Sequence, residues 1–325
     1  MNSTRFYFVV LVLVAVSYLT TVFIDNQYPF FAGFAILQLI IMALAWNILG
    51  GYGGYVNFGS AAFFGLGAYG AIVAYQLFGA SLPIQIFAGG LFSALVGLGT
   101  GYLTLRLRGV YFAIATLALL VVAETLIHNW DYVGGAAGAY LLPKKNLDFW
   151  GVLIVGKVGG LFSNNKELLF FLMCILALLT IVICRAIEKS KLGRGLAALR
   201  DNEEAAESMG VPTLKLKLIA TTLSAAIMGV TGGIFPYYMT FIEPTSAFSL
   251  DISVNALAMP LIGGTVTWLG PVLGAVILGT LQQIATVTIS SEINLLIVGL
   301  FLVSFVIFAP EGFLGLIKKY TKRRD

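Results

Sequence analysis

Charge is what this sequence has least of: Asp, Glu, Lys and Arg make up 10% of 325 residues, against 59% hydrophobic ones. A water-soluble globule of that composition would have too little polar surface to cover its outside, so the solvent must be mostly lipid. Histidine occurs once, at His128, and cysteine twice, at Cys174 and Cys184. A single histidine cannot assemble a convincing metal site or Ser/His/Asp triad. The two cysteines share one apolar run, where a helix would hold them roughly 15 Å apart, so they do not pair with each other. No Gly-x-x-x-x-Gly-Lys-Ser/Thr loop occurs, so nothing here cradles nucleotide phosphates. The apolar runs hold no carboxylate dyad and no Cys/His pair, which leaves a membrane-embedded hydrolase or acyltransferase without acid-base machinery. No cofactor is implied. The net charge of +4 raises nucleic acid as a partner, but the basic residues cluster between apolar spans and are better explained by topology.

What is present in abundance is apolar runs of bilayer length, about 20 residues each. Ten candidate spans run roughly from 5 to 25, 30 to 49, 60 to 78, 84 to 105, 110 to 127, 168 to 186, 216 to 235, 251 to 266, 271 to 289 and 293 to 309. The first is too long for a signal-peptide core and no small-x-small site follows it, so it reads as a retained helix. Placing both termini in the cytoplasm puts Arg5, Arg106, Arg108, Arg185, Lys189, Lys191, Arg194, Arg200, Lys215, Lys217, Lys318, Lys319, Lys322, Arg323 and Arg324 inside. Only Lys144, Lys145, Lys157 and Lys166 fall outside, as the excess of basic residues in cytoplasmic loops requires. The expected fold is therefore all-α: one polytopic transmembrane helical bundle over residues 1–325. An outer loop spans 128–167 and a cytoplasmic loop 187–215. The outer loop, with Trp130, Asp131, Gly134, Gly135, Gly138 and Pro143, is either a docking surface for an external partner or an ordinary connection.

Helices in lipid approach closely where small residues repeat at one-turn spacing. Gly89, Ser93, Gly97 and Gly101 do so in the fourth span, as do Gly229 with Gly233 and Gly270 with Gly274 later. The third span is different. Gly50, Gly51, Gly53, Gly54, Gly59, Gly65, Gly67 and Gly70 crowd around Asn57 and Ser60, and each interior glycine costs a helix about 1 kcal/mol relative to alanine. A poor continuous helix is expected there, and non-helical backbone at membrane depth must be buried in protein or line a wet cavity. The eighth span is short and carries Pro260, Gly263 and Gly264, a second interrupted segment of the kind found at transport sites. Candidate path residues are Asn57, Ser60, Phe63, Phe64, Gly65, Pro260, Gly263 and Gly264, though tight packing alone would also favour the glycines. Glu124 joins them as the only acid deep in an apolar run, which should face protein or water. It serves either the path or an interhelical hydrogen bond.

The inner stretch from Ser190 to Lys217, SKLGRGLAALRDNEEAAESMGVPTLKLK, encodes a short helix punctuated at both ends. Asp201 is placed to N-cap it, Glu203 and Glu204 suit its first turn, Gly210 closes it and Pro212 stops it. Leu199, Asn202, Ala205, Ala206 and Met209 are expected on one face, small enough to seat in a groove on another protein. Residues 204 to 210, EAAESMG, resemble the EAA-x-x-x-G coupling signature of ABC importer permeases. With GYGGYVNFGSAAFFGLGAY (51 to 69), RLRGVYFAIATLAL before Glu124, LIGGTVTWLGPVLGA (261 to 275) and FAPEGFLGL (308 to 316), the chain resembles the LivM-type permeases of branched-chain amino acid ABC transporters. It departs from them at Ser60, where histidine is frequent, and after Gly210, where the general signature continues differently.

The resemblance implies an inner-membrane transport subunit, not an enzyme. Arg200, Asp201, Glu203, Glu204, Ala205, Ala206 and Gly210 would dock on an ATP-hydrolysing subunit. Two cytoplasmic ATPases, a homologous permease partner in a heterodimer and an external substrate-binding protein would complete the assembly in membrane lipid, with no nucleic acid. Permeases for urea and short amides share much of the pattern, and an ion-coupled secondary transporter also uses interrupted helices.

Overall fold

Apolar runs whose backbone has no partner in lipid except itself become helices, and the computed structural model consists almost wholly of them. It describes residues 3–23, 26–104, 107, 109–140, 148–149, 152–153, 162, 164–288, 293–308 and 312–321. The helices are α1 (Ser3–Phe23), α2 (Tyr28–Gly53), α3 (Ser60–Phe78), α4 (Leu82–Thr104), α5 (Val110–His128), α6 (Asn165–Lys189) and α7 (Lys191–Asp201). There follow α8 (Glu203–Ser208), α9 (Thr213–Met239), α10 (Pro244–Ala247), α11 (Leu250–Gly263), α12 (Leu269–Thr288), α13 (Ile293–Phe308) and α14 (Gly312–Thr321). Among the described residues eight stretches are long and apolar enough to cross a membrane: α2, α3, α4, α5, α6, α9, α10 with α11, and α12. Shorter apolar stretches, Arg5–Thr21 and Leu296–Phe305, lie where the first and tenth spans were expected.

The centre of the bundle is α2, α3 and α9, while α4 and α5 leave most of their surface uncovered. Gly89, Ser93, Gly97 and Gly101 form the buried face of α4, against α9. A Cβ on Gly67 would lie 2.2 Å from the Gly229 carbonyl oxygen, and one on Gly89 would lie 2.4 Å from that of Gly67. The backbones of α3, α4 and α9 therefore touch, and Ser93 Oγ donates to Ala225 O at 2.8 Å across the same seam.

That contact corrects one expectation. The glycine-rich third span does not break at Gly65, Gly67 or Gly70; α3 runs unbroken from Ser60 to Phe78. The packing gained by backbone contact outweighs the helix-propensity cost of each glycine. The interruption is confined to residues 54–59, after α2 ends with Gly54 in the left-handed region (φ 77°).

Two short strand pairs complete the fold. β1 (Ala139–Tyr140) pairs antiparallel with β4 (Phe241–Ile242), Ala139 opposite Ile242, and β2 (Asp148–Phe149) pairs with β3 (Val152–Leu153). Two 3-10 turns lead from α5 to β1, with Gly134, Gly135 and Gly138 at φ of 94°, 49° and 77°. The first part of the outer loop is thus pinned to the α9–α10 connection. Pro143, Lys144, Lys145 and Lys157 lie outside the described residues, as do Arg106, Arg108, Lys322, Arg323 and Arg324.

Candidate functional site

The stretch between α6 and α9 forms two helices rather than the single one expected. Ser190 opens α7, its hydroxyl accepting from Gly193 N at 3.3 Å. The chain then straightens at Asn202 (φ −162°, ψ 109°), whose side chain accepts from Ala205 N at 3.0 Å. Asn202, not Asp201, is therefore the cap of α8, and Asp201 is the last residue of α7. Both residue types cap well; the one with extended backbone directly before the helix takes the role. At the other end Gly210 N donates to Glu207 O at 2.9 Å and Val211 N to Ala206 O at 3.0 Å, with Gly210 at φ 81°. This is the paired C-terminal closure in which glycine supplies the left-handed residue. No atom stands within 4 Å of a Cβ at Gly210, so backbone angle rather than crowding demands the glycine.

The bend at Asn202 also dissolves the single face expected across both helices. Leu199 is buried under α7 and Ala206 under α8, but Ala205 is exposed and Met209 is 85% exposed. A six-residue rod about 9 Å long therefore projects Glu204, Ala205, Ser208 and Met209 away from the bundle.

Glu203, expected on the docking face, turns the other way. Its carboxylate accepts from the Tyr55 hydroxyl and from Lys217 Nζ. Lys217 is only 2% exposed and lies 4.4 Å from the centre of the Tyr55 ring. A lysine so buried requires a paired charge, because an uncompensated one costs several kcal/mol. Arg200 reaches the same region from α7, donating to Gly51 O at 3.2 Å, and its 3.7 Å pair with exposed Asp201 is a surface contact that adds little. Tyr55, Lys217, Ser190 and Asn202 are the residues that sequence reasoning missed. Ser190 and Asn202 carried a capping signal; Lys217 and Tyr55 acquire their roles only from contacts 14 and 148 residues away.

Residues 54–59, which α7 and α8 grip, have their polar groups tied to the bundle. Trp46 Nε1 donates to Asn57 O at 2.8 Å, Gly59 N to Asn57 Oδ1 at 2.7 Å and Phe58 N to Thr116 Oγ1 at 3.1 Å. Ala61 N, at the start of α3, donates to Ser253 Oγ of α11 at 2.9 Å. The other interrupted segment arrives at the same end of the bundle: Asn47 Nδ2 donates to Thr265 O at 3.1 Å, and Trp268 N to Glu188 Oε2 at 3.2 Å. Pro260 sits inside α11, and a Cβ on Gly263 would lie 1.8 Å from Gly270 O, so the α11–α12 turn closes backbone against backbone. The 187–215 loop and both interrupted segments thus form one cluster.

Of the remaining expected path residues, all but Glu124 are buried. Phe63 and Phe64 are packed in the core, Phe64 edge-on to Phe235 at 5.0 Å, and Gly65 faces the Phe248 ring. Ser60 Oγ is buried without a hydrogen bond. Glu124 is half-buried on the flank of the α5 face formed by Phe112, Thr116, Leu120, Ala123 and Ile127. None of them lines the two apolar crevices nearby. One, of about 590 Å³, opens between α3, α4 and α5 at Leu66, Phe92, Val96, Leu119 and Leu126. The other, of about 240 Å³, lies along α3 and α4 at Tyr69, Val73 and Leu95, and the two share Phe92 and Trp130. His128 is exposed at the end of α5, and no group of three metal-ligating side chains occurs among the described residues.

Set against known proteins, residues 29–306 match the model of the family described as branched-chain amino acid transport system / permease component. The high-affinity branched-chain amino acid transport system permease protein LivM of Escherichia coli is 29% identical over 299 residues, covering 88% of this chain and 70% of that protein. The LivH permease protein of the same organism is 22% identical over 283 residues, 85% of this chain and 90% of that one. Among solved structures, a metal-chelate type ABC transporter in an inward-facing conformation superposes with a TM-score of 0.47 at 19% identity, covering 98% of this chain and 99% of that one.

Proposed function

This chain belongs to the family of branched-chain amino acid transport permeases, and from that premise we propose how its geometry serves transport. It is a transport subunit of the inner membrane and works with ATP-binding partners and a substrate-binding protein. The loop at 187–215 lies on the cytoplasmic side with both termini. Its projecting rod, α8, seats on the ATPase through Glu204, Ala205, Ser208 and Met209, while Arg200 and Glu203 face back into the membrane domain. The single observation carrying this reading is that back-facing grip: Arg200 of α7 holds Gly51 near the end of α2, and Glu203 joins the rod to Tyr55 of the interrupted segment. ATP-driven closure of two ATPases would displace α8 as a rigid body and move the walls above it.

In this arrangement Asn57 O and Phe58 N of the 54–59 segment are hydrogen-bonded to the bundle, and the Asn57 side chain is taken up by Gly59 N. They would meet an amino acid zwitterion only after that segment shifts, which is the behaviour of a gate. The apolar crevices at Phe92 suit an aliphatic side chain. On the opposite face, the segment from His128 to Tyr140 offers exposed Trp130, Tyr132 and Tyr140 to the binding protein. A homologous sister permease completes the pair; two relatives from one organism, LivM and LivH, both similar to this chain, support a heterodimer.

Affinity purification from detergent-solubilised membranes tests the assignment. An ATPase should co-purify, and uptake of leucine, isoleucine or valine should stop on ATP depletion. Uptake that persists without ATP while an ion gradient is intact would instead establish a secondary transporter, and preference for urea or short amides would move the substrate.

A further inference from the structure

We propose that Tyr55 and Lys217 are positioning residues that, with Glu203, pass displacement of α8 to the rest of the membrane domain. This rests on the coupling role given to α8 above. The rod is stiffened at both ends by Asn202 and Gly210. Its other side-chain bond to the following helix is local, Thr213 Oγ1 donating to Glu207 at 2.9 Å. Glu203 reaches a distant element from the rod itself, its carboxylate holding the Tyr55 hydroxyl and the Lys217 ammonium together.

With Lys217 also 4.4 Å from the Tyr55 ring centre, the three side chains close a triangle joining α8, α9 and the 54–59 segment. A triangle of short contacts cannot shear at one corner without moving the other two. Tyr55 then carries the displacement onward, since its ring stands edge-on to Phe112 of α5 at 5.2 Å and 87°. Phe58, three residues along, is bonded through its N–H to Thr116 of the same helix. α5 is the least buried of the eight bilayer-length stretches and bounds the 590 Å³ crevice, so few packing contacts oppose its response.

A salt bridge that merely stabilises the fold would make a different prediction. Replacing both members of a buried pair by apolar side chains of similar volume is often neutral for stability. The test uses the complete transporter, with its ATPases and binding protein, in liposomes, measuring amino acid taken up per ATP hydrolysed. Tyr55→Phe keeps the ring and the ion pair and removes only the hydroxyl. It should lower uptake per ATP roughly tenfold, the scale of one hydrogen bond to a charged group, with the ATPases still co-purifying. Glu203→Met combined with Lys217→Met should be uncoupled to the same degree or more. Wild-type uptake per ATP in Tyr55→Phe overturns the proposal, and so does wild-type uptake in the double variant. If that double variant fails to assemble, the isosteric Tyr55→Phe decides alone. Absence of ATPase from the wild-type complex would instead remove the coupling role of α8 itself, and this proposal with it.

Discussion

Gly67→Ala adds one methyl group where three helices meet, and the structure fixes how badly it fits. The new Cβ would lie 2.2 Å from Gly229 O and 2.4 Å from Gly229 Cα, 1.0 Å or more inside ordinary contact at 3.4 Å. Both atoms are backbone, and Gly229 is also in contact with Ser93 and Gly89 of α4 at this point, so no side chain can swing aside. The helices must separate, at the cost of overpacking, about 1 to 3 kcal/mol. Alanine's better helix propensity returns about 0.5 to 1 kcal/mol, leaving a net loss of up to about 2.5 kcal/mol. Gly99 lies in α4 with no atom within 4 Å of its Cβ position, so Gly99→Ala gains the propensity term alone. The apparent melting temperature in detergent, followed by size-exclusion chromatography after heating, should fall by a few degrees for Gly67→Ala. For Gly99→Ala it should hold or rise. If Gly67→Ala proves as stable as Gly99→Ala, the backbone contact does not hold the bundle together.

Three further outcomes follow from other contacts. Gly263→Ala would place its Cβ 1.8 Å from Gly270 O; the α11–α12 turn cannot then close, and the variant should be recovered at a small fraction of wild-type yield as a monodisperse protein. Glu204→Lys reverses a charge on the exposed side of α8, so uptake should be abolished while membrane insertion measured by immunoblot is unchanged. Gly138→Ala forces a side chain onto φ 77° with its Cβ 2.6 Å from Ile242 O, a strain of about 1 to 3 kcal/mol. It should loosen the β1–β4 pair and raise protease cleavage between residues 128 and 140, with ATPase retention unaltered.

Much of this architecture was legible in the sequence because lipid leaves the backbone so few options. The runs that became α2 to α6, α9 and α12 announce themselves by length and apolarity, and the small-residue ridge at Gly89, Ser93, Gly97 and Gly101 did become the packed face of α4. What misled was reading glycine by propensity alone. Gly65, Gly67 and Gly70 stay helical because tertiary contact against Phe248, Gly229 and Phe92 decides the matter, and one sequence does not display its partners. The capped inner rod was visible in its Glu203, Glu204 and Gly210, yet the choice between Asp201 and Asn202 as cap depended on where the chain bends. The direction of Glu203 was hidden for a deeper reason: Lys217 looks like an ordinary basic flank of a span until folding buries it against Tyr55.

Coupling as proposed requires α8 to project into the cytoplasm toward a motor. Met209→Cys places a thiol at the most exposed end of that rod, in a parent whose Cys184 is buried and Cys174 half-buried. In intact spheroplasts a membrane-impermeant maleimide should leave it unlabelled above the parent, and label it once the membrane is opened. A short bifunctional crosslinker should then join it to the co-purifying ATPase. Labelling from the outside of sealed cells would contradict the account at its root.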